Sequence, residues 1–253
     1  MIPFDLSGFE FLFLVFTAAC GGLLRGYSGF GSALLLSPLW AIVIGPVQAV
    51  ATLMILEAVV TLQLLPRAAK STDWKLVGWL SVGAIVAIPF GTYLLVTVDP
   101  DILRRSIGIV VLVWSLIMLM GLRYEGRLTV PMTLGIGAIS GAMTGATSLG
   151  GPPVLMYLLS SPARAESNRA NIITYFGLIS LVLVVALLLE GIYTSATWWR
   201  GLFLTPVFMG GAWIGARAFD RTSEATFRRL VLYFLLAIGV LTVGGWDLLR
   251  AAL

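Results

Sequence analysis

Two short stretches of this sequence gather residues that can hold an anion. The first runs Arg25-Gly26-Tyr27-Ser28-Gly29-Phe30-Gly31-Ser32, the second Gly145-Ala146-Thr147-Ser148-Leu149-Gly150-Gly151-Pro152-Pro153. Both mix hydroxyl donors with glycines, and glycine lets a ligand approach the backbone closely. Both lead into an apolar segment. A helix starting there turns unpaired N–H groups and positive partial charge toward the break, which suits an anion. Pro152 and Pro153 fit a first helical turn, where a missing N–H costs little. The candidate substrate contacts are Arg25, Ser28, Gly29, Gly31, Ser32, Thr147, Ser148, Gly150, Gly151 and Pro152. Thr52 and Asn171, near the starts of two later apolar segments, either line the same site or hydrogen-bond between helices.

Arg25 carries the most weight. A cation at the centre of a membrane helix costs about 2.5–3.5 kcal/mol on insertion scales, so such residues face a cavity or a partner. Arg25 either attracts the anion or pairs with Glu57, which lies within a later apolar segment. Glu57 in turn is a structural partner for Arg25 or the carrier of a coupling proton. The chain has no His and a single cysteine, Cys20. That removes imidazole-based catalysis, His-ligated metals and an internal disulfide. Gly26-Tyr27-Ser28-Gly29 resembles the surroundings of an intramembrane protease serine, but the base such an enzyme needs is missing. No enzyme, no cofactor and no metal site is expected.

The elements that must position these residues are membrane helices. Of 253 residues, 59% are hydrophobic and 11% charged, and mean hydropathy is +1.00. Soluble domains carry about 25% charged residues. The net charge of +4 is assigned to cytoplasmic loops rather than to nucleic acid. The bilayer core requires about 20 apolar residues per helix. Six segments meet that length, at 47–66, 76–97, 102–122, 170–190, 199–219 and 226–247. Four shorter ones, at 9–25, 30–44, 130–146 and 150–161, form two pairs, each split by one of the glycine-rich breaks. The first segment has no basic lead, since Asp5 and Glu10 flank its start, and reads as a retained helix rather than a cleaved signal. Trp40, Trp74, Trp198, Trp199 and Trp246 are expected at the membrane interfaces.

The two breaks align. Gly22, Gly26 and Gly31 each precede Gly141, Gly145 and Gly150 by 119 residues, and Ser28 meets Thr147 at the same offset. Farther on the offset drifts to 124, where Gly91 meets Gly215 and Leu103-Arg104-Arg105 meets Phe227-Arg228-Arg229. The reading is an all-α polytopic membrane protein of one membrane domain. It comprises two repeats, 1–125 and 126–253, each a glycine-broken helical hairpin plus three full transmembrane helices. Three full spans per repeat place the second on the opposite face, so the repeats are inverted, a transporter architecture. Hairpins entering from opposite faces can bring their tips together near the midplane. The alternative use of these glycines is packing: Gly137, Gly141 and Gly145, four apart, would let helices approach closely. Loop charge orients the chain. One set of alternate loops holds eleven Lys and Arg, from Arg67 to Arg229. The other holds Arg104, Arg105, Arg200 and Arg250 beside Asp99, Asp101, Glu190 and Asp247. The first set is cytoplasmic by the positive-inside rule, and both termini are then periplasmic.

At these residues the chain resembles the sulfite exporter TauE/SafE family, also called the toluene sulfonate uptake permease family. The resemblance rests on Arg25 through Leu34 with Pro38, on Gly145 through Pro153 followed by Tyr157-Leu158-Leu159, and on Arg169-Ala-Asn-Ile-Ile-Thr-Tyr-Phe176. It spans nearly the whole chain. Where many members carry further glycines in the first motif, this chain has Phe30 and Ser32. The resemblance implies a secondary transporter of sulfite or organosulfonates such as sulfoacetate in a bacterial inner membrane. Its partners would be the small anion, the lipid bilayer and a coupling proton, and transport would proceed by alternating access. The competing readings are an anion channel and a non-transporting membrane scaffold or accessory protein.

Overall fold

The computed structural model describes residues 6–120, 129–159 and 165–219. Among them are nine helices and no strand: α1 (Gly8–Ser28), α2 (Ser32–Val43), α3 (Pro46–Ala68), α4 (Trp74–Thr97), α5 (Pro100–Leu119), α6 (Val130–Thr147), α7 (Gly151–Leu159), α8 (Ala165–Leu189) and α9 (Ser195–Phe219). The segment expected at 226–247 lies outside the described residues. By length and composition α1, α3, α4 and α8 can each cross a membrane. Large apolar side chains such as Phe9 and Phe16 on α1 and Val86 and Phe90 on α4 face outward. With so few charges to solvate them, this is the surface of a bundle covered by lipid.

The first segment is longer than the 9–25 read from hydropathy. A capping box starts it: Glu10 N–H donates to Ser7 Oγ at 3.3 Å, and Ser7 N–H to Glu10 Oε2 at 2.7 Å. Such reciprocal bonds satisfy two of the otherwise orphaned first-turn donors. The helix then continues through Gly21, Gly22 and Arg25 to Ser28, so α1 is a full-length helix and not a half-span. The partner after the break, α2, has 12 residues, or ~18 Å at about 1.5 Å per residue, and is too short to cross.

Glycine carries α1 past its polar stretch because α9 packs there backbone to backbone. A Cβ at Gly22 would stand 2.1 Å from Phe208 O, and one at Gly26 1.9 Å from Ala212 O. A second seam joins α4 and α6. Gly137 faces Leu80 O, Gly141 faces Ala84 O and Gly145 faces Ile88 O. Thus the packing use of the 137/141/145 series holds for these glycines. The seams correspond contact by contact. Gly22 against Phe208 matches Gly141 against Ala84, and Gly26 against Ala212 matches Gly145 against Ile88. Gly215 against Leu23 likewise matches Gly91 against Ala142. In every pair the first helices differ by 119 and the second by 124.

α3 is the most buried of the four long apolar helices and packs against α8 and α9 at the centre of the bundle. Trp40 belongs to this core rather than to an interface. It is fully buried, and its Nε1–H donates to Thr17 Oγ1 at 2.9 Å. An indole enters an apolar interior once its N–H is satisfied. Trp74, Trp198 and Trp199 are exposed, as interface residues are; Trp246 lies outside the described residues.

Candidate functional site

Residues of both breaks line one cavity. α1 ends where Gly29 turns left-handed at φ 79°, and Gly31 at φ 93° starts α2 with no side-chain cap. Arg25, in the last turn of α1, lines the cavity and is 1% exposed. Its Nη1 donates to Gly29 O at 2.5 Å, which braces the turn. Its Nε lies 2.9 Å from Glu57 Oε2 on α3, in an ion pair rather than an aligned hydrogen bond. Its Cζ stands 5.9 Å from the centre of the Phe176 ring on α8, within cation–π range. Nη2 has no hydrogen-bond partner among the described residues. The other Glu57 oxygen accepts a hydrogen bond from Ser32 Oγ at the start of α2. Three helices thus converge on one buried charge pair.

The second break is braced without charge. Ser140 Oγ on α6 donates to Gly150 O at 2.6 Å, and Tyr175 O–H donates to Ser140 Oγ at 2.9 Å. Gly150 sits so close to α6 that a Cβ there would meet Thr144 Oγ1 at 2.0 Å. Ser37 Oγ on α2 donates to Thr147 O at 2.8 Å and ties the breaks together. Ser148 ends α6 in a left-handed conformation at φ 64°.

Of the residues expected from sequence, Arg25, Gly31, Ser32, Glu57, Ser148 and Gly151 line the cavity. The others support the turns or stand apart. Ser28 Oγ lies 2.8 Å from Leu24 O and 2.6 Å from Phe30 O, so its hydroxyl serves the first turn. Gly29 forms that turn. Thr147 Oγ1 donates to Met143 O and accepts from Leu149 N–H in the second. Gly150 and Pro152 set the start of α7 and are buried behind the lining. Thr52 is buried on α3 away from the cavity. Asn171 Oδ1 accepts the Asp73 N–H at 2.7 Å, tethering the turn between α3 and α4 to α8. Ser140, Tyr175 and Ser37 were missed because their roles depend on contacts far along the chain. Thr144 and Phe176 stand 119 residues after Arg25 and Glu57 and were not among the residues expected in the site. All four line the cavity, as do Phe30 and its counterpart Leu149.

The cavity is therefore a closely walled space with a buried cation, one hydroxyl without a partner and the start of a helix in its lining. No curated protein and no solved structure matches the chain. The model of the family described as Sulfite exporter TauE/SafE matches residues 14–242. The chain belongs to the sulfite exporter TauE/SafE family, and it is a multi-pass helical membrane protein of a transporter family.

Proposed function

We propose that the protein is a secondary transporter of small sulfur-containing anions, sulfite and organosulfonates such as sulfoacetate. The anion binds in the cavity between the two breaks and is carried by alternating access. The observation that carries this reading is Arg25, a buried guanidinium lining the cavity with Nη2 unpaired. An anion admitted to the cavity pairs with that arm, at a depth where charge is costly unless function retains it.

Glu57 supports proton coupling. It holds Arg25 as an internal anion, so an entering substrate competes with it. Protonating Glu57 removes the competitor and keeps the net charge around the arginine constant once a monovalent anion such as hydrogen sulfite is bound. Among the described residues lining the cavity, Arg25 and Glu57 are the only charged ones. The corresponding seams of α1 with α9 and α4 with α6 support two repeats, 1–125 and 126–253, in inverted topology. Inverted repeats around a shared site are an alternating-access architecture. The inner membrane and periplasmic termini follow from the loop-charge bias.

Purified protein in liposomes should take up sulfite saturably, and an inward proton gradient should accumulate it above equilibrium. Passive flux alone would indicate a channel, and no saturable flux of sulfite or sulfoacetate would overturn the reading. In Glu57→Gln, flux down the sulfite gradient should persist while the response to the proton gradient disappears.

A further inference from the structure

We infer that Ser148 is a specificity-determining hydrogen-bond donor to the anion, a role that rests on the transport reading above. Ser148 is the one non-glycine residue at positive φ among the described residues, at 64°. A Cβ is disfavoured in that conformation, and glycine is the usual solution at a helix C-terminus. The chain itself uses glycine for this backbone task. Gly29, 119 residues earlier, closes α1 at φ 79° with its N–H donating to Arg25 O at 2.9 Å. Ser148 closes α6 in the same way, its N–H donating to Thr144 O at 2.8 Å. The turn therefore does not require serine.

The side chain brings a second cost. Ser148 is 5% exposed, and its Oγ has no hydrogen-bond partner among the described residues. A buried hydroxyl left unpaired is unfavourable. Neighbouring hydroxyls are all committed: Ser140, Thr144 and Thr147 each donate to a backbone carbonyl. Ser148 alone combines backbone strain with an idle donor, and it lines the cavity with Arg25. Strain and unpaired polar groups held at one position are characteristic of binding sites.

The start of α7 explains why a hydroxyl is needed there. Pro152 and Pro153 have no N–H, so the first turn of α7 offers fewer backbone donors than an ordinary helix N-terminus. The first half contributes the cation and the second half the Ser148 O–H. An oxyanion presents several acceptor oxygens and can engage both groups at once. A halide of the same charge presents a single centre and gains mainly from Arg25. The geometry points to Ser148 as the group that favours oxyanions over halides.

The decisive variant is Ser148→Gly, which suits the backbone and removes the hydroxyl. In the purified full-length protein, thermal unfolding without ligand should be unchanged or higher in temperature. Sulfite affinity should fall about tenfold, as for the loss of one hydrogen bond to a charged group. Chloride affinity should stay within about twofold, since the cation remains. Ser148→Ala should lose sulfite affinity equally while unfolding at a lower temperature than Ser148→Gly. Sulfite binding unchanged in Ser148→Gly overturns the inference alone. So does an equal loss for sulfite and chloride, which would mark a structural role. A wild-type protein that sulfite does not stabilise overturns the transport reading, and Ser148 with it.

Discussion

The first half places a guanidinium, a carboxylate and a hydroxyl around the cavity, from Arg25 at the end of α1, Glu57 on α3 and Ser32 at the start of α2. At the positions 119 residues later, the second half places a threonine, a phenyl ring and a glycine, from Thr144, Phe176 and Gly151. The backbones of the two turns are alike, with α1 and α6 both ending left-handed. Their braces differ. Arg25 holds the first turn through Gly29 O, whereas Ser140 and Tyr175 hold the second through Gly150 O. Since neutral groups suffice to brace the second break, charge at the first is not demanded by the fold. Burying an ion pair is seldom the most stable way to fill a core, and this pair borders a cavity. On the transport reading, Arg25 and Glu57 supply the charge of the site, and the second half, apart from Ser148, shapes it.

The comparison breaks most visibly at Arg25. Arg25→Ala should abolish most anion binding, a drop of at least about 30-fold. It should also destabilise the protein by about 3–5 kcal/mol, because Glu57 is left buried without its counter-ion. Arg25→Ala with Glu57→Gln separates the two effects. Thermal unfolding should recover much of the loss, while flux in liposomes stays at the level of the single variant. Recovery of flux along with stability would mean that the pair is structural and that the halves do not divide as described.

The helix seams offer the next largest effect. Gly26→Ala drives a Cβ to 1.9 Å from Ala212 O, and its counterpart Gly145→Ala to 2.7 Å from Ile88 O. Both contacts are with backbone, so a helix must shift. Overpacking of this kind costs about 1–3 kcal/mol or more. Gly26→Ala should lower the unfolding temperature more than Gly145→Ala. The reverse order would show that α1 and α9 separate more readily than α4 and α6.

At the second break, Ser140→Ala leaves Gly150 O and the Tyr175 hydroxyl without their partner. Stability should fall by about 1–3 kcal/mol. Tyr175→Phe removes only one end of the chain and should cost less, about 1 kcal/mol. Sulfite affinity should weaken in both in proportion to the stability loss, because the brace positions the start of α7 rather than touching the anion. A full loss of binding in Tyr175→Phe with normal stability would give the tyrosine a direct role instead.

Much of this was legible in the sequence. Composition gave the membrane class, the glycine breaks gave the ends of α1 and α6, and isolated charges in apolar segments singled out Arg25 and Glu57. The length of α1 was not legible, because hydropathy cannot distinguish a glycine that ends a helix from one that seats it against a neighbour. The difference at Gly22 and Gly26 lies in the carbonyls of α9, nearly two hundred positions away in the chain. Hydroxyl roles were hidden for the same reason. Ser28, Thr147 and Ser148 look equivalent as residues near a break. Only the backbone around them shows that the first two are spent on the turns and the third is not.

Asn171 gives the smallest and most discriminating test of that division. The sequence left it either a place in the site or a hydrogen bond between helices, and its Oδ1 accepts the Asp73 N–H at 2.7 Å outside the cavity. Thr174 and Ser167, on the same helix, reach Thr72 Oγ1 at 2.8 Å and Ser71 O at 3.1 Å. Together the three residues form a tether between α8 and the turn that joins α3 to α4. Asn171→Ala should therefore cost about 1 kcal/mol of stability, the net worth of one hydrogen bond. Two neighbouring bonds remain to hold the turn. Sulfite affinity should be unchanged, because the carboxylate, cation and hydroxyl around the cavity keep their positions. If Asn171→Ala instead weakens sulfite binding tenfold at normal stability, the anion reaches beyond the cavity toward α8. The boundary drawn between binding and bracing residues would then move with it.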